Sequence, residues 1–465
     1  MRQNGAELNA RSPVVLGLGR QGKAMALYYV AHGQPVTVSD MRTVEQLQAA
    51  LGELSGLPIR YVLGGHPLSL LDDCDLLVVS GGVSPDIPVV QEALARGIPV
   101  SNDAQEFMLR SPAPIVGISG SAGKTTTTSL VGSMLVATGL TTWVGGNIGN
   151  PLISDLDRIQ ASHRVVMELS SFQLELMTLS PQVAGILNIT PNHLDRHKTM
   201  EAYLAAKRRI VQFQGVADTA VLGWDDPNAR ESAGYTRAQV AYFSGQAIPH
   251  EGACLVGTKL ILCAQGEQVE ICDRSDIRLR GYHNILNTLA AVALAGAAGA
   301  SVDGMRQAIA TFSGVEHRLE PVRRQSGVLW VNDSIATAPE RVLAALSSFE
   351  EPIVLLAGGR DKDLPWEAFA ERVIGRVRVL VLFGEAAGMI GGHVASAWSA
   401  VRREQKPVSL ESVISVATLE EAVSAAAARA QKGDVVLLSP GGTSFDAFRD
   451  FEERGRRFRE LVNAL

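Results

Sequence analysis

A glycine-rich segment in the first third of the chain joins an apolar stretch to a threonine-rich stretch. It reads Gly117-Ile118-Ser119-Gly120-Ser121-Ala122-Gly123-Lys124-Thr125. An apolar strand, a glycine turn and a helix that begins at a Lys-Thr pair predict a phosphate-binding loop, in which backbone amides and the helix N-terminus face the phosphates. Lys124 would neutralise the β/γ charge, and Thr125 would ligate magnesium. The upstream glycine falls one position away from the usual G-x-x-x-x-G-K spacing, and the alternative is a Gly/Ser loop that only caps the helix.

The whole chain alternates short apolar runs with stretches of helical composition. The apolar runs predict strands at Pro13–Leu18, Pro35–Ser39, Asp75–Ser80, Ile98–Ser101, Pro114–Ser119, Arg164–Leu169, Val183–Ile189, Thr219–Gly223, Leu329–Asn332, Pro352–Ala357, Val377–Phe383 and Asp434–Ser439. Buried Val/Leu/Ile strands separated by helices indicate parallel sheets, so we predict an α/β fold. At about 150 residues per domain, a chain of 465 residues predicts about three domains, which we place at residues 1–103, 104–314 and 315–465. Residues 240–280 differ because they alternate more and carry turn residues, which predicts a small antiparallel patch.

Composition excludes several classes of protein. The formal net charge is −6, which excludes a globally basic nucleic-acid binder. Met1–Ser12 is polar, so we expect no signal peptide, and no apolar run approaches the roughly 18 residues of a membrane span. The four cysteines show neither C-x-x-C pairs nor a histidine at zinc-ligand spacing. We therefore expect a cytoplasmic monomer with reduced thiols, whose partners are small molecules and neither nucleic acid nor a membrane.

A second glycine motif lies nearer the N-terminus. Gly17-Leu18-Gly19-Arg20-Gln21-Gly22 follows a predicted strand and opens a predicted helix, and Asp40 ends the next strand. This is the context of a dinucleotide-binding fingerprint, in which the acid binds a ribose hydroxyl. Arg42 would meet a base or a phosphate. The pattern predicts binding of a nucleotide of some kind, and the alternative is a tight turn without a ligand.

Further polar groups follow the predicted strands of the central unit. Glu168 ends a strand beside the phosphate loop, where a carboxylate is positioned to hold magnesium. Asn188–His197 brings Asn, His and Asp together after another strand, at the end where α/β proteins bind ligands. Lys207 lies on the helix that follows. The alternatives are a surface glutamate, a structural histidine and a surface lysine whose stem packs on apolar neighbours.

Polar residues also cluster at the boundary to the third unit and beyond it. Asn284 and Asn287 are three positions apart and share a helix face, where they would hydrogen-bond an adenine or cap the helix. Arg318 would reach a phosphate. Three polar loops each end a predicted strand and would line one edge of the third sheet: Asn332–Thr337, Gly358–Lys362 and Ser439–Asp446.

Eight segments occur in the order seen in Mur ligases, and the chain resembles that family from Gly17 to Phe458. The segments are GSAGKTTTT, MELSSFQLE, NITPNHLDRH, GYHNILN, VEHRLE, NDSIATAPE, AGGRDKD and SPGGTSFDAFRDFEERGRRF. The resemblance implies three domains, namely a Rossmann-like N-terminal domain that binds a UDP-sugar, a P-loop-type central ATPase domain and a Rossmann-like C-terminal domain that binds an amino acid. It also implies that ATP, with two Mg²⁺ ions, converts a carboxylate into an acyl phosphate that an amine attacks. The N- and C-terminal motifs are most similar to those of members that add D-glutamate to UDP-N-acetylmuramoyl-L-alanine.

The resemblance implies roles for individual residues as well. The catalytic residues would be Lys124, His193, Lys207 and Glu168, and the magnesium ligands would be Thr125, Glu168, His193 and a carbamylated Lys207. ATP would contact Ser119, Gly120, Ser121, Ala122, Gly123, Lys124, Thr125, Thr126, Asn284, Asn287, Arg318 and Asp333. The UDP-substrate would contact Gly19, Arg20, Gln21, Asp40, Met41, Arg42, Gly82, Asn147 and His193. D-Glutamate would contact Thr337, Lys362, Ser444 and Phe451.

One segment departs from the family pattern. The family often reads D-S-K-A-T-N where this chain reads Asp333-Ser334-Ile335-Ala336-Thr337-Ala338, so any charge of that lysine is absent or supplied elsewhere. Three alternatives stay open at this point. They are a family member that adds another amino acid, a nicotinamide-dependent oxidoreductase fused to an ATPase, and a P-loop switch that makes no covalent product.

Overall fold

The computed structural model describes residues 12–362, 364–403 and 408–465, with Asp195, Arg402 and Arg403 described by their backbone only. The segment in which we expect no signal peptide, Met1–Ser12, lies outside the described residues except for Ser12. The chain divides into two compact units. The first is the described chain up to Arg278 together with Tyr282–Phe312, and the second is Leu279–Gly281 together with Ser313–Leu465.

A parallel five-stranded sheet forms the N-terminal part of the first unit. Its elements are β1 (Pro13–Leu16), α1 (Arg20–Ala31), β2 (Val36–Asp40), α2 (Gln48–Glu53), β3 (Ile59–Leu63), β4 (Leu76–Val79), α3 (Pro88–Ala95) and β5 (Val100–Ser101). The strand order is β3-β2-β1-β4-β5. The loop after the central, fully buried β1 and the end of its neighbour β2 therefore lie at one edge of the sheet. This loop carries the Gly17–Gly22 motif, and Asp40 ends β2.

A nine-stranded sheet forms the rest of the first unit. After α4 (Asp103–Arg110), its elements are β6 (Ile115–Ser119), α5 (Lys124–Ala137), β7 (Thr142–Gly146), β8 (Arg164–Glu168), α6 (Ser171–Leu174), β9 (Val183–Ile186), α7 (Leu194–His197), α8 (Met200–Gln212), β10 (Thr219–Gly223), α9 (Pro227–Glu231), β11 (Gln239–Ser244), β12 (Gly252–Val256), β13 (Lys259–Ala264), β14 (Glu267–Asp273), α10 (Tyr282–Ala297) and α11 (Val302–Thr311). The order is β14-β13-β12-β11-β10-β9-β6-β8-β7. Because β6 lies between β8 and β9, the phosphate loop, Glu168 and the segment after β9 leave the sheet side by side.

The second unit contains a six-stranded sheet. Its elements are β15 (Glu320–Gln325), β16 (Val328–Asn332), α12 (Pro339–Leu346), β17 (Ile353–Gly358), α13 (Glu367–Arg376), β18 (Val377–Phe383), α14 (Ala387–Arg403), β19 (Ser412–Ser415), α15 (Leu419–Arg429), β20 (Val435–Gly441) and α16 (Phe451–Ala464). The order is β15-β16-β20-β17-β18-β19, and only the β15–β16 pair is antiparallel. The three polar loops noted in the sequence thus follow three adjacent parallel strands, β16, β20 and β17.

The predicted α/β fold with three sheet-bearing domains is confirmed, and the positions of the domain boundaries stay predictions. The antiparallel patch is present as β12–β14, but it extends the central sheet and β11 pairs in parallel with β10. Four strands escaped the sequence analysis, β3, β7, β15 and β19, and each lies at the edge of its sheet. Edge strands are covered on one side only, so they carry polar residues and glycines where central strands carry unbroken Val/Leu/Ile.

The described part of the chain contains no helix that is long and apolar enough to cross a membrane.

Candidate active site

The phosphate loop connects the buried end of β6 to the first turn of α5. Gly123 has φ 84°, and a Cβ atom there would lie 2.2 Å from Oδ1 of Asn287, so this position requires glycine. Asn188 holds the loop, because its backbone and side-chain oxygens accept the amides of Ser121 and Ala122 at 2.9 Å each. The Nζ atom of Lys124 donates to the carbonyls of Gly120 at 2.8 Å and Ser121 at 3.3 Å. The lysine therefore folds back over the loop.

A chain of hydrogen bonds, buried between Thr125 and Glu168 and half-buried at Asn147, joins three predicted site residues beside this loop. Oγ1 of Thr125 donates to Oε2 of Glu168 at 2.7 Å, and Nδ2 of Asn147 donates to Oε1 of the same carboxylate at 2.9 Å. The backbone amide of Asn147 also donates to the carbonyl of Glu168 at 2.9 Å. Glu168 is 2% exposed, which excludes the alternative of a surface glutamate.

Lys207 lies fully buried beside the same loop, with a side chain that is 1% exposed. Its Nζ atom donates to the carbonyl of Gly120 at 2.9 Å and to Oγ of Ser119 at 3.3 Å, and it lies 4.8 Å from the ring centre of Tyr203. Burial first, and then the charge of Lys124, hold the pKa of Lys207 well below its ordinary range, and Glu168 opposes this shift. This environment favours the neutral amine and excludes a surface lysine.

The Asn188–His197 segment turns sharply before α7. His193 has φ 54° and is exposed, and its ring lies edge-on to Phe172 with 5.1 Å between the ring centres. The guanidinium of Arg196 lies over the same Phe172 ring, 4.0 Å from its centre. It also donates to the carbonyls of Gly81 at 2.9 Å and Val83 at 2.7 Å. Arg196 thereby ties this segment to the loop after β4 in the N-terminal sheet.

A cavity of about 880 Å³ opens at the edge of the N-terminal sheet. Asp40 is 5% exposed there, and its carboxylate accepts the amide of Leu18 at 2.7 Å and the guanidinium of Arg42 at 2.8 and 3.0 Å. Burial would raise the pKa of Asp40, but these hydrogen bonds outweigh it and lower the pKa to about 2. The structure brings together on this cavity the following predicted residues: Gly19, Arg20, Gln21, Asp40, Met41, Arg42, Gly82 and Asn147. His193 does not line it and stays a prediction for the UDP-substrate.

In the second unit, Asp333 lies buried at the end of β16. It accepts Oγ of Ser439 at 2.8 Å and the amide of Leu319 at 3.2 Å. Burial raises the pKa of Asp333 to about 7, against the opposing effects of these hydrogen bonds and of Arg318. The exposed Arg318 and the buried Asp333 are the predicted nucleotide contacts of this unit.

The predicted amino-acid site lies on the same sheet edge. Nζ of Lys362 lies 3.4 Å from Oγ1 of Thr337. Ser444 is 2% exposed in the loop after β20, and Phe451 begins α16 with its ring edge-on to His317 at 6.3 Å between centres. Arg454, one turn further along α16, is fully buried and donates to Oγ and the carbonyl of Ser334 at 3.0 and 2.9 Å.

Comparison with known proteins shows which family the chain resembles along its length. Three family models match the chain, described as "Mur ligase MurD-like, N-terminal domain" over residues 11–102, "Mur ligase middle domain" over residues 118–295, and "Mur ligase, glutamate ligase domain" over residues 317–442. A UDP-N-acetylmuramoylalanine–D-glutamate ligase of Symbiobacterium thermophilum is 42% identical over 463 residues, which cover 99% of each chain. One of Acetivibrio thermocellus is 40% identical over 462 residues, which cover 99% of this chain and 97% of the relative.

The chain belongs to the Mur ligase family. Membership makes it a ligase, and it removes the nicotinamide-dependent oxidoreductase and the non-catalytic P-loop switch from the alternatives. Solved Mur ligases share the fold: the UDP-N-acetylmuramate–alanine ligase MurC of Thermotoga maritima has a TM-score of 0.58 at 21% identity, with 98% of this chain and all of that chain covered. MurF of Acinetobacter baumannii has a TM-score of 0.56 at 17% identity, covering 96% of this chain and 93% of that chain.

Several residues of this Mur ligase lie beside the predicted site residues and were not predicted from the sequence. His66 lines the cavity and lies 2.8 Å from Oγ of Ser39 through its Nδ1 atom. Tyr203 lies 3.0 Å from Oγ of Ser121 through its hydroxyl. Arg196 and Arg454 lie within two of the eight segments, and neither segment indicates a separate role for them. Their contacts join residues far apart in the chain, and no local spacing indicates them.

Proposed function

We propose that this Mur ligase joins D-glutamate to UDP-N-acetylmuramoyl-L-alanine with consumption of ATP. The name and full-length coverage of the two relatives support the substrates. The observation that carries the proposal is the hydrogen-bond chain from Asn147 through Glu168 to Thr125. Asn147 lines the cavity at the N-terminal sheet, and Thr125 belongs to the phosphate loop. One carboxylate therefore connects the proposed UDP-substrate site to the proposed ATP site.

The reaction that this arrangement supports is acyl activation. A free carboxylate is a poor acyl donor because its leaving group would be oxide. Transfer of the γ-phosphoryl group of ATP to the carboxylate of the L-alanine residue gives an acyl phosphate and ADP. The neutral amine of D-glutamate attacks the acyl carbon, the amine loses a proton, and the tetrahedral intermediate expels phosphate to leave the amide. Positioning and charge stabilisation supply most of the catalysis in such transfers.

The residues of the first unit would bind and orient ATP in this scheme. Lys124 would turn from the loop carbonyls to the β/γ-phosphates, and the loop amides would face the phosphate oxygens. Asn287, which touches the loop at Gly123, hydrogen-bonds Asn284 at 3.0 Å, so the two amides form one polar surface on α10. In the second unit, Arg318 and Asp333 would contribute further nucleotide contacts.

Magnesium fits the oxygen donors beside the loop. The hydroxyl of Thr125 and the carboxylate of Glu168 are hard ligands of the kind that Mg²⁺ prefers, and this ion commonly takes only one or two protein ligands together with substrate phosphates. The described residues contain no cluster of three or more metal-binding His, Cys, Asp or Glu side chains. We propose that Thr125, Glu168 and His193 hold two such ions, which would neutralise phosphate charge when bound.

Lys207 completes the proposed site as a carbamate. Its buried, preferentially neutral amine is suited to attack carbon dioxide, which forms an N–C bond and releases one proton. The product is an anionic oxygen ligand close to Glu168 and Lys124, both of which already affect the charge of Lys207. A bare ammonium at this place would repel magnesium.

Mass spectrometry of the product tests the proposed function. Purified enzyme with ATP, Mg²⁺, UDP-N-acetylmuramoyl-L-alanine and D-glutamate should form the adduct of the last two less one water. Lys124→Ala is the matched negative variant, because it removes the cation of the phosphate loop and leaves the buried contacts of Glu168 in place. Absence of the adduct with folded wild-type enzyme would overturn the substrate assignment.

Cytoplasmic location and a monomeric state belong to the same proposal. Sedimentation equilibrium tests the monomeric state.

A further inference from the structure

Two positively charged side chains meet at the turn between β16 and α12 in the second unit. Nζ of Lys362 lies 3.4 Å from Oγ1 of Thr337, and a guanidinium nitrogen of Arg341 donates to the carbonyl of Ile335 at 3.3 Å. The amide of Thr337 donates to that same carbonyl at 2.9 Å. The three-residue turn from Ile335 to Thr337 thus contacts both the lysine and the arginine.

A third cation lies beneath this turn. Arg454 is fully buried and bonds to Ser334 and to the carbonyl of Gly442 at 3.2 Å. The pKa of Lys362 is lowered, first by burial and then by the charges of Arg341 and Arg454. Because like charges raise the free energy of the empty site, an anion that binds there relieves their repulsion.

We propose that Arg341 is the second cation of the amino-acid pocket, so that Arg341 and Lys362 together hold the two carboxylates of an acidic amino acid. This inference rests on the proposed function and names the group that selects a dicarboxylic amine. A planar guanidinium binds a carboxylate through two parallel hydrogen bonds, while a lysine acts as a compact point charge. Arg341 would also supply the positive charge that the chain lacks at Ile335.

The side chain of Arg341 is accessible to a ligand, although it also donates to the carbonyl of Ile335. Its side chain is exposed on the first turn of α12, whereas the buried face of that helix is formed by Val342, Ala345 and Leu346. Replacement of Arg341 by alanine keeps a strong helix former at the position and leaves this buried face unchanged.

Steady-state kinetics of Arg341→Ala and Arg341→Lys test the proposal. The alanine variant should raise KM for D-glutamate by roughly 10- to 100-fold, the effect expected for loss of a charge-assisted hydrogen bond. Its KM values for ATP and for the UDP-substrate should stay within about twofold, and the lysine variant should recover part of the lost affinity. Arg372→Ala is the matched control, because Arg372 is an exposed arginine of the same unit. It lies on α13 and donates at 3.3 Å to Oγ of Ser347, the residue that follows α12.

Each outcome has one meaning. An active Arg341→Ala enzyme with an unchanged KM for D-glutamate overturns the inference, and so does a lysine variant that is no better than alanine. If the alanine variant shows no turnover although circular dichroism shows it folded, the lysine variant decides, since a retained cation must restore D-glutamate dependence. If the wild-type enzyme does not use D-glutamate at all, the proposed function is wrong, but the role of Arg341 and Lys362 in binding an acidic amino acid is still open to test. The same variants are then assayed with L-glutamate and aspartate.

Discussion

Asn147 and Glu168 are held to each other twice, by a side-chain hydrogen bond of 2.9 Å from Nδ2 to Oε1 and by a backbone hydrogen bond of 2.9 Å from amide to carbonyl. Asn147 follows the edge strand β7, and Glu168 ends the neighbouring strand β8. A Cβ atom at Gly146 would lie 2.4 Å from the carbonyl of Glu168, so glycine permits this close approach. These two hydrogen bonds therefore fix the carboxylate of Glu168, which also accepts a hydrogen bond from the hydroxyl of Thr125.

Glu168→Gln should reduce kcat far more than KM for the UDP-substrate. An amide keeps the shape of the side chain and one acceptor oxygen, but it removes the negative charge proposed to hold magnesium. The same charge also opposes the effect of Lys124, which lowers the pKa of Lys207. Loss of one such group typically costs on the order of 10²–10³-fold in kcat. Kinetics at saturating Mg²⁺ measure the effect, and Glu201→Gln on the exposed start of α8 is the control. A Glu168→Gln enzyme with near-normal kcat would show that this carboxylate is not part of the catalytic site.

Lys207 should carry a carbamate in the active enzyme. With ¹³C-labelled bicarbonate, the wild-type protein should show a carbamate carbon resonance that is absent from Lys207→Ala. The alanine variant should lose activity, and a small carboxylic acid should restore part of it by entering the space vacated beside Ser119. Full activity in buffer freed of carbon dioxide, without the labelled resonance, would contradict this role.

Arg196→Ala should weaken binding of the UDP-substrate. The guanidinium holds the carbonyls of Gly81 and Val83, and Val83 lines the cavity of the N-terminal sheet. Without it, the loop after β4 loses two hydrogen bonds to a charged donor, each worth about 1.5–3 kcal/mol. KM for the UDP-substrate should rise at least about tenfold, while KM for ATP changes little. Arg158→Ala is the control, because its guanidinium also lies over an aromatic ring, 4.9 Å from the centre of Trp143. Equal effects of the two variants would rule out a specific role of Arg196.

Asp103 should make the first unit less stable as pH rises from about 4 to about 6. Burial raises its pKa to about 6, against the hydrogen bonds from Gln173 and Gln21. Between its unfolded pKa of about 3.9 and this value, the unfolded state has lost the proton that the folded state keeps, so the free energy of unfolding falls with rising pH.

Asp103→Asn removes this titration, so its stability relative to the wild type should increase across that interval by up to about 3 kcal/mol. Urea unfolding at several pH values measures the difference, with Asp303→Asn on the exposed start of α11 as the control. A constant difference between Asp103→Asn and the wild type over this range would contradict the raised pKa.

Central strands and the loops at their carboxyl ends were predictable from the sequence, because burial on both faces leaves unbroken apolar runs. Val377–Phe383 and Thr219–Gly223 were predicted with the bounds they have in the structure. Edge strands such as Glu320–Gln325 were not, since one exposed side permits charged residues. In the site, the position of Lys124 and Thr125 directly after the glycine turn predicts their place in a phosphate-binding loop. The partners of Glu168, the reach of Arg196 and the cluster around Lys362 depend on contacts between distant segments, which no local pattern encodes.

Phosphate release from ATP in the presence of UDP-N-acetylmuramoyl-L-alanine and a panel of D- and L-amino acids decides whether the enzyme catalyses the proposed reaction. We expect release that requires both the UDP-substrate and D-glutamate, with one phosphate formed for each amide. L-Glutamate and neutral D-amino acids should give only background. Release that proceeds equally without the amino acid, or that responds to a different amino acid and not to D-glutamate, would contradict it.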